Sequence, residues 1–421
     1  MSTRVHVAPD GTADQPQFGK GRRLGTLLGP AFVAAVAYID PGNFATGVEG
    51  GARFGFLLLW VVVAANAVAM LLQYLAAKLG AATGRSLPEL CRERYPRPVV
   101  WGLWLQAEVV VIMTDLAELI GGAVALNLLL GLPLLQGGAL VAVASFVVLA
   151  VRTAGQRRFE AVITALLAVV AGAFLFQVSR ADVPLGDMAA GLVPRLDSSA
   201  SLLLATGIVG ATVMPHAIYL HSALTKERFA PGRGRLPRVT LLRAQRVDIA
   251  VAMGIAGLIN LAILTAAATE LHGSGAPPTL HGAYEQFSAG SGPAVAVLFA
   301  VALLASGLAS CSVGVYAGQV VMQGYLRRRI PLYVRRCLAV VPALAILALG
   351  ADPTQALVLS QVTLSFGIPF ALIPLIVLTR CPQIMGPWVN RRLTTALAVC
   401  ASLVIIALNA VLIALAVDPT G

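Results

Sequence analysis

Charge is what this 421-residue sequence has least of: 12% of its residues are charged and 58% are hydrophobic, where a soluble domain carries roughly a quarter charged. With a mean hydropathy of +0.84, that shortage excludes an ordinary soluble protein and implies an integral membrane one. Cysteine is also sparse. Cys91, Cys311, Cys337, Cys381 and Cys400 form no CxxC pair and no zinc-like spacing, which leaves free thiols and excludes a disulfide framework or a structural zinc site. No HExxH motif occurs, and His216 and His221 stand five residues apart rather than four, so the metalloprotease pattern is missing too. Residues 1–23 are polar and basic without a cleavable-signal pattern, and the apolar run that follows is longer than a signal core. That run is expected to stay in the bilayer. No connection is long enough to bury a core of its own; the longest lie near 181–200, 225–246 and 270–291. The chemistry is therefore expected inside the membrane.

What the sequence has in quantity is apolar runs of about 20 residues, the length that crosses a hydrocarbon core of ~30 Å. Eleven occur, at 24–48, 54–80, 100–127, 132–152, 159–180, 201–224, 247–269, 292–326, 331–350, 354–379 and 393–416. An odd number puts the termini on opposite sides. With 1–23 as a cytoplasmic tail, the inner segments hold Arg4, Lys20, Arg22, Arg23, Lys78, Arg85, Arg92, Arg94, Arg97, Arg152, Arg157 and Arg158. They continue with Lys226, Arg228, Arg233, Arg235, Arg238, Arg243, Arg246, Arg327, Arg328, Arg329, Arg335, Arg336, Arg380, Arg391 and Arg392, while the outer segments keep Arg53, Arg180 and Arg195. That asymmetry is the positive-inside rule, and it predicts a cytoplasmic N-terminus and an outside C-terminus in a cytoplasmic membrane. The net charge of +11 and pI near 10.0 follow from the topology. The basic residues lie in short loops and not on one soluble face, so the expected partner is the lipid bilayer and not nucleic acid.

Two of the runs contain residues that a membrane helix avoids. Span one is interrupted by Asp40-Pro41-Gly42-Asn43 and span six by Met214-Pro215-His216. Each proline deletes a backbone donor and clashes with the preceding turn, freeing carbonyls. Such groups persist at membrane depth only when buried in protein or lining a wet cavity. The breaks stand five spans apart, so their helices run in opposite directions, as in an inverted repeat of five plus five helices with a substrate site between the first helix of each half. The predicted organisation is thus an all-α membrane protein with a tail at 1–23, a first repeat at 24–180, an inverted second repeat at 201–379 and an additional helix at 393–416.

The breaks offer a mixed set of donors. Asp40 supplies an anionic oxygen, Asn43 a neutral oxygen and Met214 a thioether, and the freed carbonyls near Ala37 and Ala211 can add oxygens. A Ca2+ or Mg2+ site would use oxygens alone, whereas sulfur shifts preference toward Mn2+, Fe2+, Co2+ or Cd2+. Met214 is therefore the selectivity candidate, and the helix-breaking residues Pro41, Gly42 and Pro215 are what expose the ligands.

The Asp40-Pro41-Gly42-Asn43 stretch, continued by Phe44-Ala45-Thr46-Gly47, and the Met214-Pro215-His216 stretch resemble the signature motifs of the Nramp family, the proton-coupled divalent-metal symporters. The resemblance covers nearly the whole chain, including the eleven spans. It implies a LeuT-like fold with discontinuous helices 1 and 6, and a metal held by the side chains of Asp40, Asn43 and Met214 and the carbonyls of Ala37 and Ala211. Ser360-Gln361-Val362 in span ten matches the family's glutamine, which makes Gln361 a secondary ligand candidate. The related magnesium-transporting branch lacks the methionine, which this chain keeps. Import of Mn2+, with Fe2+, Co2+ or Cd2+ as further substrates, in symport with protons is what the family implies, with no prosthetic group, no enzymatic activity and a monomeric chain.

Span three holds Glu108, Asp115 and Glu118, seven and three residues apart on one helical face. Three carboxylates in a membrane span are costly unless they pair or exchange protons. Their expected partners are Arg335 and Arg336 at the start of span nine and His216, whose imidazole titrates near neutrality. The resemblance implies that the acidic positions of span three and the arginines of span nine form a proton path separate from the metal route, with Asp40 serving both as ligand and as first proton acceptor. His221 is expected at a helix end facing the cytoplasmic vestibule, and Asn260 and Thr114 are candidates to line the path, although a single polar residue of this kind more often makes an interhelical hydrogen bond.

Three other readings fit less well. A Na+-coupled amino-acid symporter of this architecture would carry a small residue in place of Asp40 and no sulfur ligand. A passive cation channel would show a ring of repeated filter residues. An intramembrane metalloenzyme would need a base or nucleophile beside the metal with no hydrated exit.

Overall fold

The structure is a computed structural model that describes residues 29–153, 156–180, 183–229, 238–328 and 330–417. The expected tail at 1–23, the first residues of span one, and Arg233, Arg235 and Arg329 lie outside these residues.

Pro30 opens α1 (Pro30–Val36), which tightens into a 3₁₀ turn over Ala37–Ile39 before the backbone extends at Asp40, with φ −84° and ψ 168°. The next helix, α2 (Pro41–Phe54), takes Asp40 as its N-cap and Pro41 in its first turn. An acidic cap followed by proline is a helix start, so the DPGN stretch ends one helix and begins another. Then come α3 (Leu59–Thr83), the short α4 (Leu87–Arg94) and α5 (Arg97–Leu130). They are followed by α6 (Leu134–Thr153), α7 (Gln156–Arg180) and the short α8 (Leu185–Ala190). The second break has the form of the first: α9 (Ser199–Thr212) ends at Val213, with φ −106° and ψ 72°, and α10 (Pro215–Phe229) starts on its proline. The chain finishes with α11 (Arg238–Glu270), α12 (Leu280–Gly290), α13 (Pro293–Leu326), α14 (Leu332–Ala348), α15 (Pro353–Thr379), α16 (Pro382–Met385) and α17 (Arg392–Val417).

The described residues contain no strand. Among them eight helical segments are long and apolar enough to cross a membrane, with α9 and α10 counted as one. The broken pair α1–α2, together with α6 and α14, occupies the remaining three of the eleven apolar runs. Two expectations about connections need correction. The stretch 225–246 is not all loop, because α11 begins at Arg238, and neither are 181–200 and 270–291, because α8 and α12 lie within them. The α12 turn is started by Thr279, whose side chain accepts from Gly282 N, a capping signal that a search for apolar runs does not register.

The core lies where the two broken helices meet their neighbours. α2 packs along α11, α10 along α3, α9 along α15, and α5 along α13. Close approach is set by small residues: a Cβ on Gly121 of α5 would stand 2.0 Å from the Cβ of Pro41, and one on Gly80 of α3 would stand 2.2 Å from Ser222 O of α10. The start of α1 is tied to α11, where Asp248 accepts from Gly29 N at 3.1 Å and from Ala31 N at 3.0 Å.

The connections sort to two ends of the bundle. At one end Lys226 pairs with Glu89 at 2.7 Å, Tyr316 donates to Glu227 at 2.9 Å, and Arg92 donates to Gln323 O at 3.1 Å. At the other, Trp60 donates to Gly191 O and Arg195 O, His272 meets Ala52 O, and Leu280 N donates to Thr354. The basic stretches around Arg92 and Lys226 meet at the first end.

Candidate functional site

Asp40 is fully buried at the first break. Its Oδ1 accepts from Asn43 N at 2.9 Å and from Asn43 Nδ2 at 2.8 Å, and its Oδ2 accepts from Gln361 Nε2 at 3.3 Å. Asn43 Nδ2 also donates to Ala211 O, in the last turn of α9, at 3.0 Å. Four of the expected ligands, from α2, α9 and α15, thus form one hydrogen-bonded group. Ala37 and Met214 are buried as well, at 1% and 0% exposure, the first in the 3₁₀ turn and the second directly before Pro215. In this arrangement the Asn43 and Gln361 amides turn their nitrogens to Asp40, and Gln361 Oε1 has no hydrogen-bond partner. A half-turn of either amide would present its oxygen to a cation instead.

The carbonyls freed at the first break do not all face this group. Tyr38 O accepts from Asn260 Nδ2 at 2.9 Å, and Ile39 O accepts from the Ser306 hydroxyl. Neighbouring helices therefore satisfy the interrupted backbone, as a buried break requires. Asn260 acts as an interhelical donor to the break itself.

Gln361 is wedged between two glycines. A Cβ on Gly42 would come within 1.8 Å of its Nε2, and a Cβ on Gly210 within 1.9 Å of its backbone oxygen. Gly210 and Gly121 belong to the architecture of the site, and sequence reasoning missed both. Their signals are the small residues Gly207, Gly210 and Ala211 on one helix and the Gly121-Gly122 pair on another, a composition that marks close helix approach in membranes.

The polar residues of α5 pair with α14 in sequence order. Arg335 donates to Glu108 at 3.2 and 2.7 Å, a bidentate pair, and Arg336 Nη1 donates to Asp115 Oδ1 at 3.1 Å. Arg336 also donates to Ser145 Oγ at 2.8 Å and to the Cys311 sulfur, two partners that the sequence did not suggest. Glu118 has no such cation. Both of its oxygens are buried without a donor, and the nearby Ser310 hydroxyl is turned to Gly307 O at 3.4 Å. Glu118 Oε1 lies 3.1 Å from where a Cβ on Gly314 would be, and Asp115 Oδ1 3.4 Å from the same point, so the two carboxylates share one face of α13.

Two expectations about histidine are corrected. His216 was expected to partner the carboxylates of span three, but its Nδ1 meets Thr114 Oγ1 at 3.2 Å. Thr114 precedes Asp115 by one residue, and adjacent helical positions point about 100° apart, so α10 meets the hydroxyl while Asp115 faces α14. His221 was expected at a helix end facing a vestibule. It is 2% exposed in mid-α10, with Nδ1 2.6 Å from Gln73 Oε1, and Gln73 Nε2 donates to the Tyr38 hydroxyl. That chain ties α10 through α3 to the first break.

Among the described residues no three His, Cys, Asp or Glu side chains gather in a metal-binding cluster. The donors gathered around the breaks are one carboxylate, two carboxamides, carbonyls and a thioether, a mixed oxygen and sulfur set with a single negative charge.

Comparison with known proteins agrees with this architecture. Residues 31–415 match the profile of the natural resistance-associated macrophage protein-like family, Nramp. The chain is 49% identical over 394 residues to the divalent metal cation transporter MntH of Deinococcus radiodurans, covering 93% of this chain and 90% of that protein. It superposes on a crystal structure of the Eremococcus coleocola manganese transporter with a TM-score of 0.84 at 30% identity, covering 98% of this chain and 91% of that one. A structure of Mhp1, a nucleobase-cation-symport transporter, gives a TM-score of 0.57 at 17% identity over 83% of this chain and 77% of that one, which extends the likeness to the LeuT-like fold alone. The match over nearly the whole length, at both breaks and throughout the bundle, places this chain in the Nramp family.

Proposed function

We propose that this protein carries divalent transition-metal ions, Mn2+ first among them, across a cell membrane together with protons. The observation that carries the reading is the Asp40 carboxylate, buried in a helix break and met by Asn43, Gln361 and, through Asn43, the Ala211 carbonyl. The family is one of transporters and not of enzymes, and the relatives just described are named for divalent metal cations and manganese.

In this reading Asp40, Asn43, Met214 and the carbonyls of Ala37 and Ala211 hold the ion, and Gln361 joins them in some conformations. Binding replaces the hydrogen bonds that the ligands now make to one another, and it gives Gln361 Oε1, which has no hydrogen-bond partner, a cation to face. Met214 disfavours hard, strongly hydrated Ca2+ and Mg2+. The two breaks let the helix pairs α1–α2 and α9–α10 rock about the site, opening it to one side at a time. The first repeat is assigned to 24–180, the inverted second to 201–379, and the added helix to 393–416, with the basic end of the bundle cytoplasmic and the chain acting as a monomer.

Protons are assigned a separate path. Asp40 exchanges its proton as the metal binds, and Glu118, Asp115 and Glu108 pass it along α5, with Arg336 and Arg335 stabilising the charged carboxylates in turn. His216 contributes through Thr114. Glu118 suits the first relay position because its oxygens are buried without a donor and it faces the same point of α13 as Asp115. An inside-negative potential drives divalent entry by about 2.3 kcal/mol per charge per 100 mV, and proton symport adds to that drive.

The test is uptake into proteoliposomes that contain a pH-sensitive dye. Mn2+ entry accompanied by internal acidification is expected. Mn2+ entry with no pH change would remove the symport claim, and no Mn2+ entry would remove the transport claim.

A further inference from the structure

Pro369 lies inside α15, the helix that carries Gln361. Proline has no N–H, so the carbonyl of Ser365, four residues earlier, has no helical donor. α17 supplies one. Asn409 Nδ2 donates to Ser365 O at 3.0 Å, and Ser365 Oγ donates back to Asn409 Oδ1 at 2.9 Å. Both residues are buried, at 1% and 5% exposure. The neighbouring polar side chain of α17, Ser402, only bonds its own helix at Ala398 O.

The turn held in this way runs from Gln361 to Ser365. The same turn meets α9, where a Cβ on Gly210 would stand 1.9 Å from Gln361 O and 3.0 Å from Ser365 N. One turn is therefore held by both α9 and α17, and its first residue reaches Asp40.

We propose that Asn409 is a positioning residue for the metal site. By standing in for the N–H that Pro369 lacks, it fixes the Gln361–Ser365 turn so that Gln361 meets Asp40. α17, assigned above as a helix outside the two repeats, thereby acts on the site through one side chain. The inference rests on the reading of Asp40 and Gln361 as metal ligands.

The experiment measures equilibrium Mn2+ binding and initial uptake rates on the purified full chain. The variants are Asn409→Leu, Pro369→Ala, their combination, Gln361→Ala, and Gln361→Ala with Asn409→Leu. Asn409→Leu leaves a buried carbonyl unpaired, and a loss of about five- to tenfold in Mn2+ affinity is expected, with a larger effect on KM than on maximal rate. Pro369→Ala alone should bind like the wild type. Combined with Asn409→Leu it should restore affinity, because it returns a backbone N–H to the same carbonyl. In the Gln361→Ala background Asn409→Leu should add nothing. If Asn409→Leu fails to fold, Ser365→Ala removes one of the two bonds and should cost roughly two- to threefold.

Affinity unchanged in Asn409→Leu, no rescue by Pro369→Ala, or an undiminished effect in the Gln361→Ala background would each overturn the inference, the last two by showing that Asn409 only docks α17. A wild-type chain that binds no Mn2+ would instead overturn the transport reading on which it rests.

Discussion

Gln361 lies against Gly42 so closely that a Cβ at position 42 would come within 1.8 Å of its amide nitrogen. The same side chain donates to Asp40 Oδ2 at 3.3 Å. The glycine in the first turn of α2 is thus both part of the break and the floor on which a residue from α15 rests.

Gly42→Ala and Gly210→Ala should separate these roles. The Gly42 neighbour is the end of a flexible side chain, which can swing away, so that variant should fold with near-normal stability and weakened metal binding. The Gly210 neighbour is the Gln361 backbone, which cannot yield without moving α15. Gly210→Ala should lower stability by about 1–3 kcal/mol and reduce uptake more severely. Thermal unfolding in detergent alongside Mn2+ uptake checks both.

Met214→Ala should retain Mn2+ transport and lose discrimination against Ca2+ and Mg2+, since it removes the soft donor and leaves the oxygens. Competition of each alkaline-earth ion against Mn2+ uptake measures this. Discrimination equal to the wild type would exclude the thioether as the source of selectivity. Asp40→Ala, by contrast, should abolish binding, and calorimetry with Mn2+ reads that directly.

The Arg336–Asp115 pair is buried on both sides, with side-chain exposures of 1% and 2%. Arg336→Met should destabilise the fold by about 3–5 kcal/mol, because Asp115 is left buried without its cation. Asp115→Leu combined with Arg336→Met should recover much of that stability while leaving proton coupling impaired. Unfolding temperatures and the dye-based acidification assay give the two readouts.

At the basic end of the bundle, Glu89 pairs with Lys226 at 2.7 Å. Burial pushes the Glu89 carboxyl upward, but the Lys226 and Ser86 hydrogen bonds outweigh it and hold the group below its usual range. A depressed carboxylate adds stability that is fully present above its unfolded value of about 4.3 and is lost as pH falls through the lower folded value. Glu89→Gln should therefore unfold earlier than the wild type at pH 7, and the difference should shrink below about pH 4. A difference independent of pH would exclude the pair as its source.

Much of the fold was legible because the membrane imposes it. Apolar runs of fixed length gave the spans, and every expected run corresponds to helix in the described residues, with ends displaced by a few residues at most positions. The two breaks were legible because Asp40-Pro41 and Met214-Pro215 violate the rule for a membrane helix so strongly. The grouping of Glu108, Asp115 and Glu118 followed from helical spacing, and α14 supplied both expected arginines. The partners of His216 and His221 were not legible, because Thr114 and Gln73 carry no periodic signal and their meeting depends on how α10 rotates against α5 and α3. Gly210 and Asn409 escaped notice for the same reason.

The sequence by itself determined that the chain is a bundle of long apolar helices, where two of them break, and which unusual donors stand at the breaks, because these follow from hydropathy, proline chemistry and helical period along one chain. Only the tertiary structure decided which donors meet. Asp40 with Gln361, Asn43 with Ala211, and Asn409 with Ser365 are separated by tens to hundreds of residues, and their contact is set by helix rotation and by glycines that permit close approach. Those are properties of packed surfaces, which no local pattern encodes.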